Sequence, residues 1–417
     1  MTRSKKVTYE NLRLRDSSFT DKVLEEFNDN CNVNIKNQSA AFSKFKLREL
    51  EIPNRIVMAP MGQYSATDGL VSDWHLVHYG SRATGGVGLI IAEMTAISET
   101  GRITEGCAGI YNAEQLNKWK KITDFIHNNT TTKIGIQLGH SGRKGATKKP
   151  WEGNEPMETP WNLISASPIS FNDNFATPKE MTLEDMAEIK AQFVQAAKNA
   201  DEAGFDMIEL QTHHGFLLAS FLSPLTNIRT DEFGGSIENR LKYPLEVFKA
   251  IREVFPTKKP ISVRISATDW AENGISEQEI ITIATAFKAA GADIINVSTG
   301  NTVAGQKPLT GRMWQTPFSD AVRNTVHIPT ITTGYIQDID QINTIILNGR
   351  ADLVALGRPL LLDANFVRNA QAYEQFQAND IPNPYKMGIS HLYPLKASER
   401  KQVEGMKKAL KPKSNKK

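Results

Sequence analysis

Cysteine, net charge and long apolar runs are all scarce in this 417-residue chain, and each scarcity excludes a class of protein. Two cysteines, Cys31 and Cys107, are too few for a disulfide scaffold, which predicts a reducing compartment and a cytoplasmic location. A formal net charge of +3 gives no reason to expect a nucleic-acid partner. No apolar run reaches the length of about 18 residues that a transmembrane helix needs, so we expect no membrane partner.

What the chain does contain is a series of eight short apolar runs, most of them separated by stretches with helical periodicity. Strands that alternate with helices pair in parallel, because each crossover returns the chain to the same end of the sheet. Eight such units predict an α/β fold, the (β/α)8 TIM barrel, whose chemistry lies at the C-terminal strand ends. The runs are Ile56–Ala59, Gly88–Ala92, Lys133–Leu138, Asp206–Leu210, Ile261–Ile265, Asp293–Val297, Pro329–Thr332 and Asp352–Leu356.

The barrel is expected to lie between two extensions of different character. We assign residues 1–40 to a polar N-terminal extension, 41–375 to the barrel and 376–417 to a C-terminal extension. From Lys396 onward the chain is rich in Lys and Arg, which favours a solvated, partly disordered tail over one that binds nucleic acid or a membrane. Inside the barrel region, residues 141–180 form a long loop, and loops of this length in compact domains are usually lids or binding walls.

Polar side chains cluster in the loops that follow three of the predicted strands. Tyr64 follows the first run, Gln137 and His140 belong to the end of the third, and Gln211 and His214 follow the fourth. Because all parallel strands of a barrel end at the same face, these side chains are expected to meet there.

Two arginines and two glycines point to an anionic ligand at the same face. Arg264 lies among apolar residues of the fifth run, where a charge is costly unless a ligand or a salt bridge, for example with Glu209, satisfies it. Gly334, Gly357 and Arg358 follow the seventh and eighth runs, where barrels often bind phosphate. We therefore predict a phosphate-bearing cofactor at this end of the barrel.

Other possible motifs are weak or absent. His75 and His78 have helical spacing, which permits a metal pair, but no third ligand is evident and a packing role is favoured. No P-loop, nucleophile elbow or CxxC motif occurs. We therefore predict no metal centre.

Longer motifs surround these residues, over roughly residues 42–375. They are Asn54–Met61, Asp73–His75, Gly135–Lys144, Phe221–Asn227 with Arg229, Asp231–Arg240, and Gly349–Asp352 running to Gly357 and Arg358. Together they resemble the old yellow enzyme family of FMN-dependent NADH:flavin oxidoreductases and ene-reductases. The resemblance is closest to the branch that contains the oxidoreductase half of salicylyl- or anthraniloyl-CoA hydroxylating proteins.

The resemblance implies FMN as cofactor, NAD(P)H as reductant, a small-molecule substrate and a homo-oligomer. It also implies a role for individual residues at the flavin. Pro60, Met61 and Gly62 would line the flavin ring, Met94 and Gln137 would lie at its pyrimidine side, Arg264 would face the N1–O2 region, Gly334, Gly357 and Arg358 would hold the phosphate, and Tyr64 would project into the substrate pocket.

Three positions depart from the family pattern. The family usually places two donors, His with His or His with Asn, where this chain has Gln211 and His214. These donors hold the oxygen of an activated carbonyl. The family usually has a proton-donating tyrosine where this chain has Phe216, and Gly62 replaces a cysteine found in part of the family. Loss of a general acid typically costs about 10²–10⁴-fold in rate.

The leading interpretation is an NAD(P)H-dependent FMN oxidoreductase that transfers hydride to an activated alkene, either an α,β-unsaturated carbonyl or a CoA thioester. In it Gln211, His214 and Tyr64 are the catalytic residues, and Tyr64, His213 or water replaces the missing proton donor. A flavin-binding protein without ene-reduction, or a flavin dehydrogenase or demethylase, remains open because of the departures. Lys144, Lys148 and Lys149 are candidates for binding CoA phosphates, although a solvated surface is the simpler interpretation.

Overall fold

Eight parallel strands form the centre of the protein, as the eight apolar runs predict. The computed structural model describes residues 16–22, 25, 39–374, 376 and 378–409. The strands are β1 (Ile56–Met58), β2 (Leu89–Ala96), β3 (Lys133–Gly139), β4 (Met207–Thr212), β5 (Ile261–Ser266), β6 (Ile294–Ser298), β7 (Thr330–Thr332) and β8 (Leu353–Leu356). β8 pairs with β1, so the sheet is a closed barrel without a free edge.

Helices surround the barrel and complete the predicted (β/α)8 fold. They are α1 (Asp73–Thr84), α2 (Ala113–Asn129), α3 (Leu183–Glu202), α4 (Leu217–Leu222), α5 (Ile237–Val254), α6 (Glu277–Ala289), α7 (Thr316–Val326), α8 (Ile339–Leu347), α9 (Arg358–Leu362), α10 (Phe366–Glu374) and α11 (Lys386–Ala409). Two small sheets lie outside the barrel, an antiparallel hairpin of Phe45–Leu47 with Leu50–Ile52 and a parallel pair of Ile164–Ser165 with Lys179–Glu180. No helix in the described ranges is long and apolar enough to cross a membrane.

The alternation of side chains along each strand decides what lies inside the barrel. Successive residues of a strand point to opposite faces, so β4 directs Ile208 and Leu210 outward into the layer beneath the helices. The same strand directs Met207 inward, where it packs with Leu89 and Ile294. The residues of β4 two and four positions after Met207 therefore also face the interior, and they are polar. One end of the lumen is apolar and the C-terminal end is polar.

The hairpin before β1 closes the apolar end of the lumen. Leu47 and Ile52 pack with the inward side chains of the barrel strands. Arg48 Nε donates to Asp293, the residue that precedes β6. The hairpin therefore covers the apolar end of the lumen, and the polar C-terminal end is the one where the predicted site residues lie.

A β-bulge interrupts β2 at Glu93. Ala92 is paired with Ile136 of β3, and Met94 is paired with Gln137, so Glu93 is an extra residue without a partner of its own. Bulges change the direction of the strand at that point. The carboxylate of Glu93 is completely buried beside the loop that follows β1. This loop is the first one at the C-terminal end of the barrel, which we call the catalytic face.

Two regions outside the strands test further predictions. The helix predicted after the long loop is α3, and Thr182 Oγ1 accepts the Asp185 N–H at its start, as the capping pattern indicates. From Lys396 to residue 409 the predicted tail is helical, as part of α11, where disorder was expected. Its described side chains are mostly exposed, as a solvated tail predicts, and Tyr393 just before it is buried. Most of the N-terminal extension, including Cys31, lies outside the described residues.

Candidate functional site

The polar end of the lumen is organised around the carboxylate of Glu209 in β4. This carboxylate accepts hydrogen bonds from Gln137 Nε2 at 2.8 Å, Ser262 Oγ at 3.1 Å and Asn296 Nδ2 at 2.8 Å. The donors come from β3, β5 and β6, so a neutral group from each of three strands satisfies one buried charge. Among the described residues Arg264 forms no salt bridge with Glu209, which removes the structural alternative for that arginine.

Arg264 is a buried cation without a bound acceptor. Its guanidinium lies between a cavity of 590 Å³ and a smaller one of 180 Å³ and lines both. Nε is buried and has no hydrogen-bond partner in the described part of the chain. Burial lowers the pKa of Arg264, and the nearby charge of Glu209 opposes this shift. A buried guanidinium in this state fits a ligand edge rich in acceptors, which is what the N1–O2 region of FMN offers.

The 590 Å³ cavity also contains the predicted phosphate residues. Gly334, Gly357 and Arg358 all line it. Gly334 has a φ of +105°, a conformation that strongly favours glycine, and a Cβ at this position would lie 2.9 Å from Trp314 Cδ1. The Arg358 guanidinium lies 4.3 Å from the centroid of the Tyr335 ring and has no ion pair within the described ranges. The residues present therefore fit the phosphate end of FMN.

Gln137 and Gln211 form a chain of amides that starts at Glu209. Gln137 Nε2 donates to Glu209, and Gln211 Nε2 donates to Gln137 Oε1 at 3.3 Å. Because a carboxylate only accepts, the orientation of the Gln137 amide follows from its contact with Glu209. Gln211 Oε1 remains buried without a partner. Met94, the register partner of Gln137, lines the 180 Å³ cavity with both glutamines.

His214 faces both cavities from a constrained backbone position. Its φ is +57°, its N–H donates to Ser266 Oγ at 2.9 Å, and its Nε2 lies 2.8 Å from Ser298 Oγ. Burial, together with the charges of Arg264 and Lys144, holds the pKa of His214 well below its ordinary value. The ring is therefore neutral near pH 7 and has a single N–H to donate.

The 180 Å³ cavity gathers most of the residues predicted at the reacting centre. Pro60, Gly62, Tyr64, Met94, Gln137, Gln211, His214, Phe216 and Arg264 line it together. Met61 lies at a different point, since its Sδ is 3.5 Å from where a Cβ of Gly357 would be. The structure therefore brings the predicted catalytic and flavin-ring residues to one place, with the predicted phosphate residues in the adjoining cavity.

Sequence reasoning missed several residues of this cavity. Glu93, Ile103 and Cys107 line it, and His213, named only as a possible proton source, lines it as well. Glu93 could have been predicted by the argument applied to Arg264, since it is a charged residue next to an apolar run. The burial of Cys107 raises the pKa of its thiol to about 11, so it is a neutral group in the wall.

The lysines of the long loop have other partners. Lys144 Nζ donates to the carbonyl oxygens of His214 at 2.8 Å and Asn301 at 2.7 Å. Lys149 Nζ lies 3.6 Å from Glu152. Lys144 therefore fastens two catalytic-face loops together, which weakens the prediction that it binds a CoA phosphate.

The two histidines of α1 have a packing role. His75 Nδ1 accepts the Ser72 N–H, and His75 Nε2 lies 3.4 Å from Glu93 Oε1. His78 packs edge-on against Tyr79. No group of three potential metal ligands exists in the part of the chain that the structure describes.

Comparison with known proteins agrees with this geometry. The sequence model of the NADH:flavin oxidoreductase / NADH oxidase family matches residues 41–376. The NADPH dehydrogenase of Listeria welshimeri is 41% identical over 334 residues, which cover 80% of this chain and 94% of the relative. The NADPH dehydrogenase of Clostridium acetobutylicum is 40% identical over 351 residues, or 84% and 99% of the two chains.

Two solved structures share the fold. Morphinone reductase in complex with tetrahydroNAD superposes with a TM-score of 0.68 at 25% identity, over 80% of this chain and 91% of that one. A 2-naphthoyl-CoA reductase in complex with 2-naphthoyl-CoA superposes with a TM-score of 0.71 at 25% identity over 78% of this chain. The match spans only 51% of the naphthoyl-CoA reductase.

Proposed function

We propose that this chain, which belongs to the NADH:flavin oxidoreductase / NADH oxidase family, reduces the carbon–carbon double bond of an α,β-unsaturated carbonyl compound. It is an NAD(P)H-dependent FMN oxidoreductase. The observation that carries the proposal is Arg264, a buried arginine whose guanidinium has no acceptor among the described residues. Arg264 lines both the cavity with phosphate-binding features and the cavity with carbonyl-binding ones.

Different residues of the two cavities would bind the flavin ring, the phosphate and the substrate. FMN, when bound, would supply the hydride-transfer chemistry that connects NAD(P)H with the substrate. Arg264 would stabilise negative charge at the N1–O2 edge, and Gly334, Gly357 and Arg358 would hold the phosphate. Pro60, Met61, Gly62, Met94 and Gln137 would shape the ring site. Most of these ring residues line the 180 Å³ cavity together with Gln211 and His214, so the flavin ring and the reacting end of the substrate would meet there.

Gln211 and His214 would hold the carbonyl oxygen of the substrate. Both line the smaller cavity, and His214 is a neutral donor because burial lowers its pKa. Donors aimed at a developing oxyanion stabilise the transition state, and loss of one typically costs about 10²–10³-fold in rate. The Gln211 amide donates to Gln137 as well, so its second N–H is the one left for the substrate.

The substrate is further proposed to be a small enone or an aromatic or enoyl CoA thioester. Thioesters are included because a 2-naphthoyl-CoA reductase is among the similar structures. The rim of the large cavity carries Trp270 and Trp314, whose rings are 5.7 Å apart and give an apolar wall beside the phosphate site. A homo-oligomer remains a prediction.

An anaerobic titration followed by flavin absorbance tests the function. NADPH is added to the purified holoenzyme first, then 2-cyclohexenone, and in a parallel sample an enoyl-CoA. Bleaching by NADPH with recovery on either acceptor is the expected result. Bleaching without recovery would turn the assignment to the flavin dehydrogenase or demethylase alternative. No bleaching would favour a flavin-binding protein without ene-reduction, and no flavin spectrum with added FMN would contradict the assignment altogether.

A further inference from the structure

In the first loop of the catalytic face, the side chain of Tyr64 fills the space that a side chain at position 62 would need. A Cβ added to Gly62 would lie 2.9 Å from Tyr64 Cζ and 3.2 Å from Tyr64 Oη. The φ of Gly62 is not in the left-handed region, so its backbone conformation would accept any residue. The absence of a side chain at position 62 therefore provides space, and the phenol of Tyr64 fills that space.

Tyr64 itself has the unusual backbone. Its φ is +49°, and a bulky residue in this region is an outlier that costs about 1–3 kcal/mol. Conformations of this kind persist only where the surroundings over-determine them, and they cluster at functional sites. The backbone strain thus falls on a residue that lines the 180 Å³ cavity.

The buried carboxylate of Glu93 is what holds this backbone. Glu93 Oε2 accepts the Gln63 N–H at 2.7 Å, and the Tyr64 N–H also donates to this carboxylate. On the other side Tyr79 Oη donates to Glu93 Oε1 at 3.0 Å, and the Glu93 N–H donates back to Tyr79 Oη at 3.0 Å. The bulge in β2 aims the carboxylate at the loop, and α1 supplies the tyrosine that fixes it.

Tyr64 is the one tyrosine among the described residues that line the 180 Å³ cavity. It shares the 180 Å³ space with Gln211, His214 and Phe216. Burial raises the pKa of Tyr64 to about 12, so the phenol keeps its proton near pH 7. Among the described residues its hydroxyl has no hydrogen-bond acceptor. Four other groups are less suitable. Lys144 Nζ donates to two carbonyl oxygens, and burial keeps His213 neutral. Both oxygens of Glu93 accept hydrogen bonds, from the Gln63 N–H and from Tyr79 Oη, and the Cys107 thiol is buried.

We propose that Tyr64 is the proton donor of the reduction, in place of the tyrosine that this chain lacks at position 216. Gly62 leaves the space in which the phenol of Tyr64 lies. The inference rests on the proposed ene-reduction. NAD(P)H is the source of the hydride that forms the Cβ–H bond. The electrons of the double bond then form a bond from Cα to the phenolic proton while the Tyr64 O–H bond breaks. Water returns a proton to the tyrosinate.

Half-reaction kinetics of the holoenzyme test the proposal. Tyr64→Phe is expected to slow the reoxidation of reduced enzyme by 2-cyclohexenone about 10²-fold or more, with reduction by NADPH changed less than about twofold. Tyr111→Phe makes the same chemical change outside both cavities and is the matched control. Phe216→Tyr in the Tyr64→Phe background is expected to restore reoxidation.

Two further measurements separate proton delivery from a merely structural role. The dissociation constant of 4-hydroxybenzaldehyde, read from the perturbed absorbance of the oxidised flavin, is expected to change less than about tenfold in Tyr64→Phe. Gly62→Ala, which pushes the phenol aside, is expected to slow reoxidation in the wild-type background and to have little further effect in Tyr64→Phe.

The outcomes distinguish this inference from the function on which it rests. Wild-type enzyme that is not reoxidised by any enone or enoyl-CoA would overturn both. Wild-type enzyme that is reoxidised while Tyr64→Phe keeps the same rate would overturn only the role of Tyr64. Equal slowing of reduction and reoxidation in Tyr64→Phe would also overturn that role, since it would indicate a disturbed flavin site.

Discussion

The two adjoining cavities of the catalytic face are built on different principles. In the 590 Å³ cavity, the residue type at each position can be explained by itself. Gly334 has a left-handed φ, and Arg358 has a guanidinium with no ion pair among the described residues. In the 180 Å³ cavity, the residue type depends on neighbours. Gly62 is needed because Tyr64 fills the space of its side chain, and the orientation of the Gln211 amide follows from Gln137, which donates to Glu209.

The difference follows from what each cavity has to recognise. A phosphate and a flavin edge are fixed shapes with fixed charges, so glycines and arginines at strand ends suffice. A reacting carbonyl needs a donor and an acid at defined positions, and several combinations of residues provide them. Substitutions at the substrate end are therefore compensated locally, as Phe216 is by the proposed role of Tyr64.

The largest effect is expected at Arg264, which lines both cavities. Arg264→Met removes the cation that faces the flavin edge, and the dissociation constant for FMN should rise about 10²–10³-fold. Fluorescence titration of the apoprotein with FMN measures it. Arg264→Lys keeps the charge but not the fork of donors and should lie between wild type and Arg264→Met. Unchanged affinity in both variants would contradict the placement of the flavin.

The titration of Glu93, at the substrate end of the site, can be tested by the pH dependence of the free energy of unfolding. Burial raises the pKa of Glu93 from 4.5 to about 7. A raised carboxyl pKa means that the folded state binds the proton more tightly than the unfolded state. The resulting stabilisation is complete below pH 4.5 and is lost as the pH rises to about 7, by up to about 3 kcal/mol.

The measurement for Glu93 is the difference in urea unfolding between wild type and Glu93→Gln from pH 5 to 8. His75, Tyr79, Tyr64 and Cys107 face the carboxylate. Burial lowers the His75 pKa to about 4, which gives the opposite slope over part of this range. His75 contacts Glu93, so the comparison is repeated in a His75→Gln background, where the difference reports Glu93 alone. A pH-independent difference would show that Glu93 does not titrate in the folded protein.

Gly334 provides the corresponding test of the cofactor end. Gly334→Ala places a Cβ on a φ of +105° and 2.9 Å from Trp314, and we expect FMN to bind about 10–100-fold more weakly. Gly291 has nearly the same φ, +103°, but lines neither cavity, so Gly291→Ala should lower stability without changing FMN affinity. Equal loss of affinity in both variants would mean that backbone strain alone is responsible.

The same contrast explains what could be predicted from the sequence. The strands were located to within a few residues because apolar runs bounded by polar loops mark buried parallel strands directly. The bulge at Glu93 was not predicted, since an extra residue in a strand leaves no trace in an apolar run. The residues that could bind the cofactor were found one by one. The pairing of Gly62 with Tyr64 depends on a loop conformation that residue type does not encode.

The C-terminal helix was missed for a related reason. Helix α11 begins at Lys386 and is rich in good helix formers such as Lys, Glu and Ala, but Pro394 lies inside it. The run of basic residues after Pro394 therefore predicts a solvated tail and not part of a helix. The contact of α11 with α10, where Tyr393 is buried, is a tertiary interaction. Local patterns therefore predict the barrel and fail where a distant surface decides the conformation.

The smallest effect is expected from restoring the family pattern at the substrate end. Gln211→His with Phe216→Tyr supplies the usual donor and acid, but if Tyr64 already delivers the proton, kcat/KM for 2-cyclohexenone should rise by no more than about tenfold. Phe171→Tyr adds a hydroxyl outside the cavity and serves as the control. A gain of about 10²-fold or more would mean that the natural cavity lacks an effective acid for enones. Tyr64 would then not compensate for Phe216, and the proposed difference between the substrate end and the cofactor end of the site would be wrong.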